Sequence, residues 1–364
     1  MEKDAGKRIV VADALRGIAV VGIILVHAVE SFDAGELHPR LTLACDATVH
    51  RIALLLLSDK MYGIFALLFG LTFFIMFGRG MTGRRFAWRM ALLFVLGLLD
   101  SAFYDGDILT AYALCGLLLI PCHRLSNRWL WVVTVGVLIQ PFELWQLVSG
   151  WTMPDDWIWR DYALLAHHHR VSGIWENVVQ NLRYALPANM GFYAVTGRLT
   201  QIFGLFTLGL LFGRYGLFRD EGRNLAVWKC ILAVSLPLAV IGNCVELGRL
   251  SHWITPIVNL MVLLTETSVL VVLWYTCDTA RKVLGRLCTF GRMSLSNYLL
   301  QSLLGAFFFY GWGLGLYRHL GYTLALLAGV VMVLLQLLVT RLWARHHQRG
   351  PFESLWRWAT YWAS

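Results

Sequence analysis

Charged side chains are scarce in this sequence: 15% of its 364 residues are Asp, Glu, Lys or Arg, against 58% apolar residues. A soluble globular domain carries about a quarter charged residues, so the deficit, with a mean hydropathy of +0.62, excludes water as the main solvent. Cysteine is sparse and unpaired in pattern. Cys45, Cys115, Cys122, Cys230, Cys244, Cys277 and Cys288 are scattered, with no C-x-x-C pair, which argues against a zinc site or a disulfide framework. Fixed-period repeats, low-complexity tracts and Pro-rich linkers are missing, as are a phosphate-binding Gly-rich loop after a strand, H-E-x-x-H and G-x-S-x-G in a supporting context. Cofactor chemistry of the soluble enzymes is thereby excluded.

Long apolar runs fill the chain instead. A bilayer core needs ~20 mostly apolar residues per helical crossing. Candidate runs cover 10 to 29, 52 to 77, 86 to 104, 108 to 122, 129 to 149, 198 to 213, 228 to 247, 253 to 276, 287 to 310 and 321 to 340. The fold class expected is therefore all-α: a polytopic membrane helix bundle of about ten transmembrane helices. The runs at 108 to 122 and 198 to 213 are short and could be re-entrant. Lys3, Lys7 and Arg8 before the first run resemble the start of a signal peptide, but Asp13 and Arg16 interrupt the run and no small-residue cleavage site follows, so a retained first helix is expected.

The net charge of +9 does not point to nucleic acid, because the cations sit in short clusters between apolar runs. Those clusters, Arg79 to Arg89, Arg124 and Arg128, Arg214 to Lys229, Arg281 to Arg286 and Arg341 to Arg357, fall in alternate loops together with the N-terminal one. That alternation places both termini in the cytoplasm. Cations in the intervening loops, among them Arg160, Arg183, Arg198, Arg249 and Arg318, are thinly spread, and those loops carry Glu30, Asp33, Glu36, Asp46, Asp105, Asp107, Asp155, Asp156 and Asp161. One transmembrane domain over 1–364 is expected, with an N-terminal half at 1–149, an outer-face interfacial segment at 150–197 rich in Trp, and a C-terminal half at 198–364.

Polar groups inside apolar helices need protein or water partners, since lipid offers none. In the first run, Asp13, Arg16 and His27 qualify. Eleven residues at 3.6 per turn bring Arg16 and His27 within ~20° of one face and ~16 Å apart along the axis. A plainer alternative is that Arg16 snorkels and pairs with Asp13 while His27 is interfacial. Asn297 and Gln301 share a face four residues apart and either read a polar ligand or fix helix packing. Glu266 lies mid-run, where an unpaired carboxylate is costly. Asp105 and Asp107 flank a glycine and either face a cavity or cap the next helix. His167, His168 and His169 are consecutive and cannot all turn to one ion from a helix, so no metal is assigned.

The segment from Asp13 to His27, with Asp105-Gly106-Asp107-Ile108-Leu109, Gly291-Arg292-Met293-Ser294 through Ser302 and Gly350-Pro351-Phe352-Glu353, resembles the YeiB family of bacterial inner-membrane proteins over nearly the whole chain. The Arg16-x10-His27 spacing also resembles the first helix of the membrane-bound acyltransferase-three family, and the Asp-x-x-Arg-Gly start resembles heparan-alpha-glucosaminide N-acetyltransferase; those two belong to a wider transmembrane acyltransferase group, to which the resemblance relates this chain. What this resemblance implies is an acyl-CoA co-substrate held by Arg16, positioned by Asp13, with His27 as general base for a small-molecule, lipid or glycan acceptor. A transporter of a small polar or amphipathic molecule is the rival reading.

Overall fold

The computed structural model describes residues 9–34, 39–151, 154–218, 222–245 and 250–362. Lys3, Lys7, Arg8, Glu36, Arg219 and Arg249 lie outside the described residues. The described residues form helices throughout, apart from one isolated bridge between Leu41 and Leu320. In order they are α1 (Val10–Val29), α2 (Asp46–Leu56), α3 (Met61–Gly78), α4 (Gly83–Ser101), α5 (Leu109–Cys122), α6 (Asn127–Leu138), α7 (Pro141–Ser149), α8 (Asp156–Val171) and α9 (Ile174–Val195). The second half holds α10 (Arg198–Arg214), α11 (Leu225–Cys244), α12 (Ser251–Thr276), α13 (Asp278–Gly285), α14 (Cys288–Arg292), α15 (Ser294–Phe309), α16 (Tyr322–Ala344) and α17 (Pro351–Trp362).

Five stretches are long and apolar enough to cross a membrane, Val10–Val29, Asp46–Gly78, Leu225–Cys244, Trp253–Thr276 and Tyr322–Ala344. Two bent pairs, α6 with α7 at 44° and α9 with α10 at 74°, raise this to seven if each is one span. The bends have local causes. Gln140 takes a left-handed conformation (φ 57°) directly before Pro141, which has no N–H to continue the helix, and Gly197 is left-handed (φ 67°) before Arg198. The run expected at 52 to 77 is α2 and α3, broken around Asp59 (φ 62°). The interfacial segment expected at 150–197 is α8 and α9, the latter running on into α10. α13 and α17 are helices the apolar runs do not announce.

α1 is the buried centre of the bundle, packed by α3, α14, α15 and α16, whereas α11 shows Val234, Leu236, Leu238, Val240 and Ile241 outward. An all-round apolar helix that stays exposed is a lipid-facing one. Without a hydrophobic drive between helices in lipid, close approach of backbones supplies the packing. α3 and α10 meet at Gly70 and Gly209: a Cβ on Gly70 would overlap the Phe206 carbonyl, and one on Gly209 the Leu67 carbonyl. α1 and α14 meet the same way at Gly17 and Gly291, where a Cβ on Gly291 would overlap the Asp13 carbonyl.

Gly209→Val must therefore push α3 from α10, at a cost of about 1–3 kcal/mol from overpacking. Melting of the detergent-purified protein is expected several degrees lower, while Gly136→Ala on α6, where a Cβ meets nothing within 4 Å, leaves it unchanged or higher. Equal melting of the two variants would refute the close crossing.

Candidate functional site

Two hollows adjoin α1, and a third shares walls with one of them. One, of about 620 Å³, lies at the C-terminal end of α1 and is lined by His27, Glu30, Asp33, Asp59, Arg198 and Tyr298 among others. A second, of about 260 Å³, lies beside its N-terminal half and takes Asp13, Arg16, Arg89, Arg292, Tyr298 and Glu353. A third, of about 700 Å³, opens beyond the second and is walled by Arg79, Arg85, Arg89, Arg292, Arg349 and Arg357, with Glu353. Tyr298 is a wall of the first two; Met76, Arg89, Arg292 and Glu353 are walls of the second and third. The single stripe expected for Arg16 and His27 thus resolves into two adjoining cavities, one for each residue.

His27 Nδ1 lies 2.8 Å from the Tyr104 hydroxyl, and Phe32 and Tyr104 pack against its ring at 5.7 and 4.9 Å between centroids. Asp33 lines the same hollow as Tyr104. Glu30 follows His27 by one helical turn, so both face the same hollow. Burial, reinforced by Asp33 and Asp59, pushes the Glu30 carboxyl up to about 8; burial, with Asp105 nearby, pushes Asp33 up to about 7. Across the hollow, Arg198 forms an ion pair with Asp59, whose other oxygen accepts from Asn259 Nδ2 at 3.2 Å. The same guanidinium stacks over Tyr62 and Phe192, 4.9 Å from each ring.

In the second cavity, Arg16 donates to Asp13 at 3.1 Å and to the Thr72 hydroxyl. Arg89 stacks over Trp356 at 3.4 Å, and the Nε atoms of Arg89 and Arg292 are buried with no hydrogen-bond partner. Glu353 reaches from α17 to accept from Leu295 N (2.8 Å) and Ser296 N (3.1 Å), capping α15. Three guanidinium groups, Arg16, Arg89 and Arg292, on one cavity favour an anion.

The remaining expected residues divide. Asp107 caps α5, accepting from Leu109 N at 2.9 Å and Thr110 N at 3.0 Å. Asp105 is buried behind Tyr104; both carboxyl oxygens lack a hydrogen bond, and His169 Nε2 stands 4.0 Å away. Asn297 bridges Phe290 O and Thr340, a helix-packing contact. Gln301 is buried with neither amide atom bonded. Glu266 lines neither of the α1 cavities and interacts with Lys60. His169 stacks on Tyr310 at 4.1 Å and bonds Asn181, while His168 contacts Ser172. Among the described residues no group of three or more His, Cys, Asp or Glu is placed to hold a metal ion.

Sequence reasoning placed Glu30 and Asp33 among loop acids and Arg198 among thinly spread loop cations, noted Tyr298 only beside Asn297 and Gln301, and passed over Asp59 and Tyr104. Only the spacing of His27 and Glu30 could have flagged one of them.

Comparison with known proteins places the chain. The uncharacterized protein YeiB of Escherichia coli K12 is 30% identical over 96% of this chain and 96% of its own length. The chain belongs to the YeiB family. YxaH of Bacillus subtilis 168, also uncharacterized, is 26% identical over 98% of this chain and 94% of itself, and a 39.9 kDa protein encoded 3′ to an amylase in Bacillus acidopullulyticus is 24% identical over 98% and 94%. Residues 212–363 match the family described as a protein of unknown function, DUF418. No solved structure matches. The DUF418 match holds Arg292, Tyr298 and Glu353, so both arginine hollows are built jointly by that part of this YeiB-family chain and its N-terminal half.

Burial also pushes Asp105 up to about 7. An acid raised above its unfolded pKa of about 3.9 binds more protons folded than unfolded between those values, so it lowers stability as pH rises through that window. Melting is expected to fall between about pH 4 and pH 7, at up to about 1.4 kcal/mol per pH unit from this group. The uncharged Asp105→Asn should flatten that slope, measured by melting curves across the window; an unchanged slope would show that Asp105 is not the group responsible.

Proposed function

We propose that this chain is an acyltransferase of the bacterial inner membrane, crossing it about ten times with both termini cytoplasmic. It moves an acyl group, acetyl in the simplest case, from a cytosolic acyl-CoA to a small-molecule, lipid or glycan acceptor at or across the membrane. In this reading the arginine hollows face the cytoplasm, in keeping with the cation-rich loops, and the His27 cavity faces outward.

The observation that carries it is the opposite chemistry of the two cavities that share Tyr298. Arg16, Arg89 and Arg292, backed by Arg79, Arg85, Arg349 and Arg357, favour phosphate groups. Glu30, Asp33 and Asp59, against one arginine, repel them. A two-substrate enzyme needs two sites of opposite preference, one for an anionic donor and one for its acceptor. The ~16 Å along α1 between Arg16 and His27 suits a donor whose phosphates and reactive carbonyl lie far apart.

In the reaction, His27 Nε2 takes the acceptor's proton as its oxygen or nitrogen attacks the thioester carbonyl. The carbon–sulfur bond then breaks and the proton passes to the departing thiolate. Nε2 is free to accept only when Nδ1 carries the hydrogen, the tautomer in which Nδ1 donates to the Tyr104 hydroxyl 2.8 Å away.

Acetyl-CoA added to the purified protein is expected to raise its melting temperature, and Arg16→Ala to remove most of that rise. His27→Asn should keep the rise and lose turnover by about 10²–10⁴-fold, the ordinary worth of a general base. No stabilisation by any acyl-CoA, or undiminished turnover in His27→Asn, would refute the reading, and the first result would favour transport.

A further inference from the structure

The two carboxylates that follow His27 are the least compensated charges facing the large cavity. Glu30 accepts no hydrogen bond and forms no ion pair with any described residue, although it is held off bulk solvent at the cavity wall. Asp33, on the same cavity wall, likewise forms no ion pair with any described residue. Arg198, the one arginine among the described residues of the cavity lining, is not available to them, because Asp59 and three aromatic rings already hold it. Two partly desolvated carboxylates without a cation are costly, and a ligand that brings the cation recovers that cost.

We infer that the His27 cavity binds an organic cation, a primary ammonium carried on an apolar or ring-shaped body, with Glu30 and Asp33 as its counter-ions. The volume, about 620 Å³, is far more than a bare ion fills and lies within the range of small-molecule sites. A metal ion is disfavoured by the absence, among the described residues, of a ligand group spaced to hold one. Trp159, Tyr162 and Phe192 line the same cavity and pack against one another, which offers ring faces and edges to the ligand's body. An anion would have to lie against Glu30 and Asp33, with Arg198 already spent on Asp59.

That this cation is the acyl acceptor rests on the acyl-transfer reading; that it binds does not. As acceptor, the ammonium first loses a proton to a cavity carboxylate, and the neutral nitrogen attacks the thioester carbonyl. A nitrogen–carbon bond forms and the carbon–sulfur bond breaks. The second nitrogen proton goes through His27 to the thiolate, leaving an amide, a thiol and one proton for solvent. The amide carries no charge, so the carboxylates that held the substrate no longer hold the product.

The test uses the full chain in detergent and three probes of one shape, 2-phenylethylamine, 2-phenylethanol and phenylacetate, followed by melting temperature at pH 8.5. Only the amine should raise it. Glu30→Gln and Asp33→Asn should each weaken the amine's apparent Kd by about tenfold, the effect of one charge at close range in a partly screened site. Asp33→Glu, which keeps the charge, should retain binding. Amine affinity should also fall as pH drops from 8.5 to 6, because protonation of Glu30 and Asp33 removes their charge; His27, Asp59, Tyr104, Asp105, His169 and Arg198 are the other titratable groups acting on the pair. Equal stabilisation by amine and alcohol, tighter binding of phenylacetate, no response to any probe, or unchanged affinity in both neutral variants would overturn the inference. Acetyl-CoA stabilisation of the same sample reports on the Arg16 cavity. Amine binding without it keeps the cation site and removes acyl transfer, and the converse removes the cation site alone.

Discussion

The cationic cavity of this bundle is arranged around the crossing of α1 and α14 at Gly17 and Gly291, where the two backbones come into contact. At that distance the residues next to the two glycines, Arg16 and Arg292, are carried to one cavity. Neither charge could stand alone there, since a guanidinium in a low-dielectric interior needs partners to offset its desolvation. Arg16 has Asp13 one turn away on its own helix and Thr72 from α3; Arg292 has Thr289. α17 completes the arrangement from outside the crossing: Glu353 holds the start of α15 and Trp356 stacks on Arg89.

The far end of α1 is organised on a different principle. There the chain leaves the helix through Ser31, Phe32 and Asp33, all with positive φ, a costly set of conformations for residues with side chains. The turn buries Phe32 against Phe309 and Tyr104 and sets Asp33 on the same cavity as His27 and Glu30. Burial of that aromatic ring offsets the strained backbone, and the acidic cavity follows from where the ring can go. Between the cationic and acidic ends stands Tyr298, whose hydroxyl accepts from Ile108 N at 3.2 Å, so the partition is tied to the loop that also carries Asp105 and Asp107.

Hydropathy revealed the apolar helices, and helical spacing put Asp13, Arg16 and His27 on one face, because both depend only on near neighbours in the chain. It also revealed Asp107 as either a cap or a cavity group, and the N–H bonds of Leu109 and Thr110 favour the cap. What it missed shares one cause. Arg198 and Asp59 are 139 residues apart and each looks like an ordinary loop charge until α10 is laid beside the break between α2 and α3. The bends at Gln140 and Gly197 were hidden because a single residue with positive φ leaves hydropathy unchanged.

By itself, then, the sequence determined that this chain is a lipid-embedded helix bundle, where its apolar stretches run, and which polar residues its first helix must keep out of lipid. Composition and the 3.6-residue period are local properties, and each survives any packing of the helices. Tertiary structure alone decided that Arg16 and His27 line adjoining cavities, that Tyr298 is a wall of both, and that one arginine is consumed by a distant aspartate while two carboxylates stay uncompensated. Those facts depend on which helix faces meet, and close packing at a few glycines selects the faces.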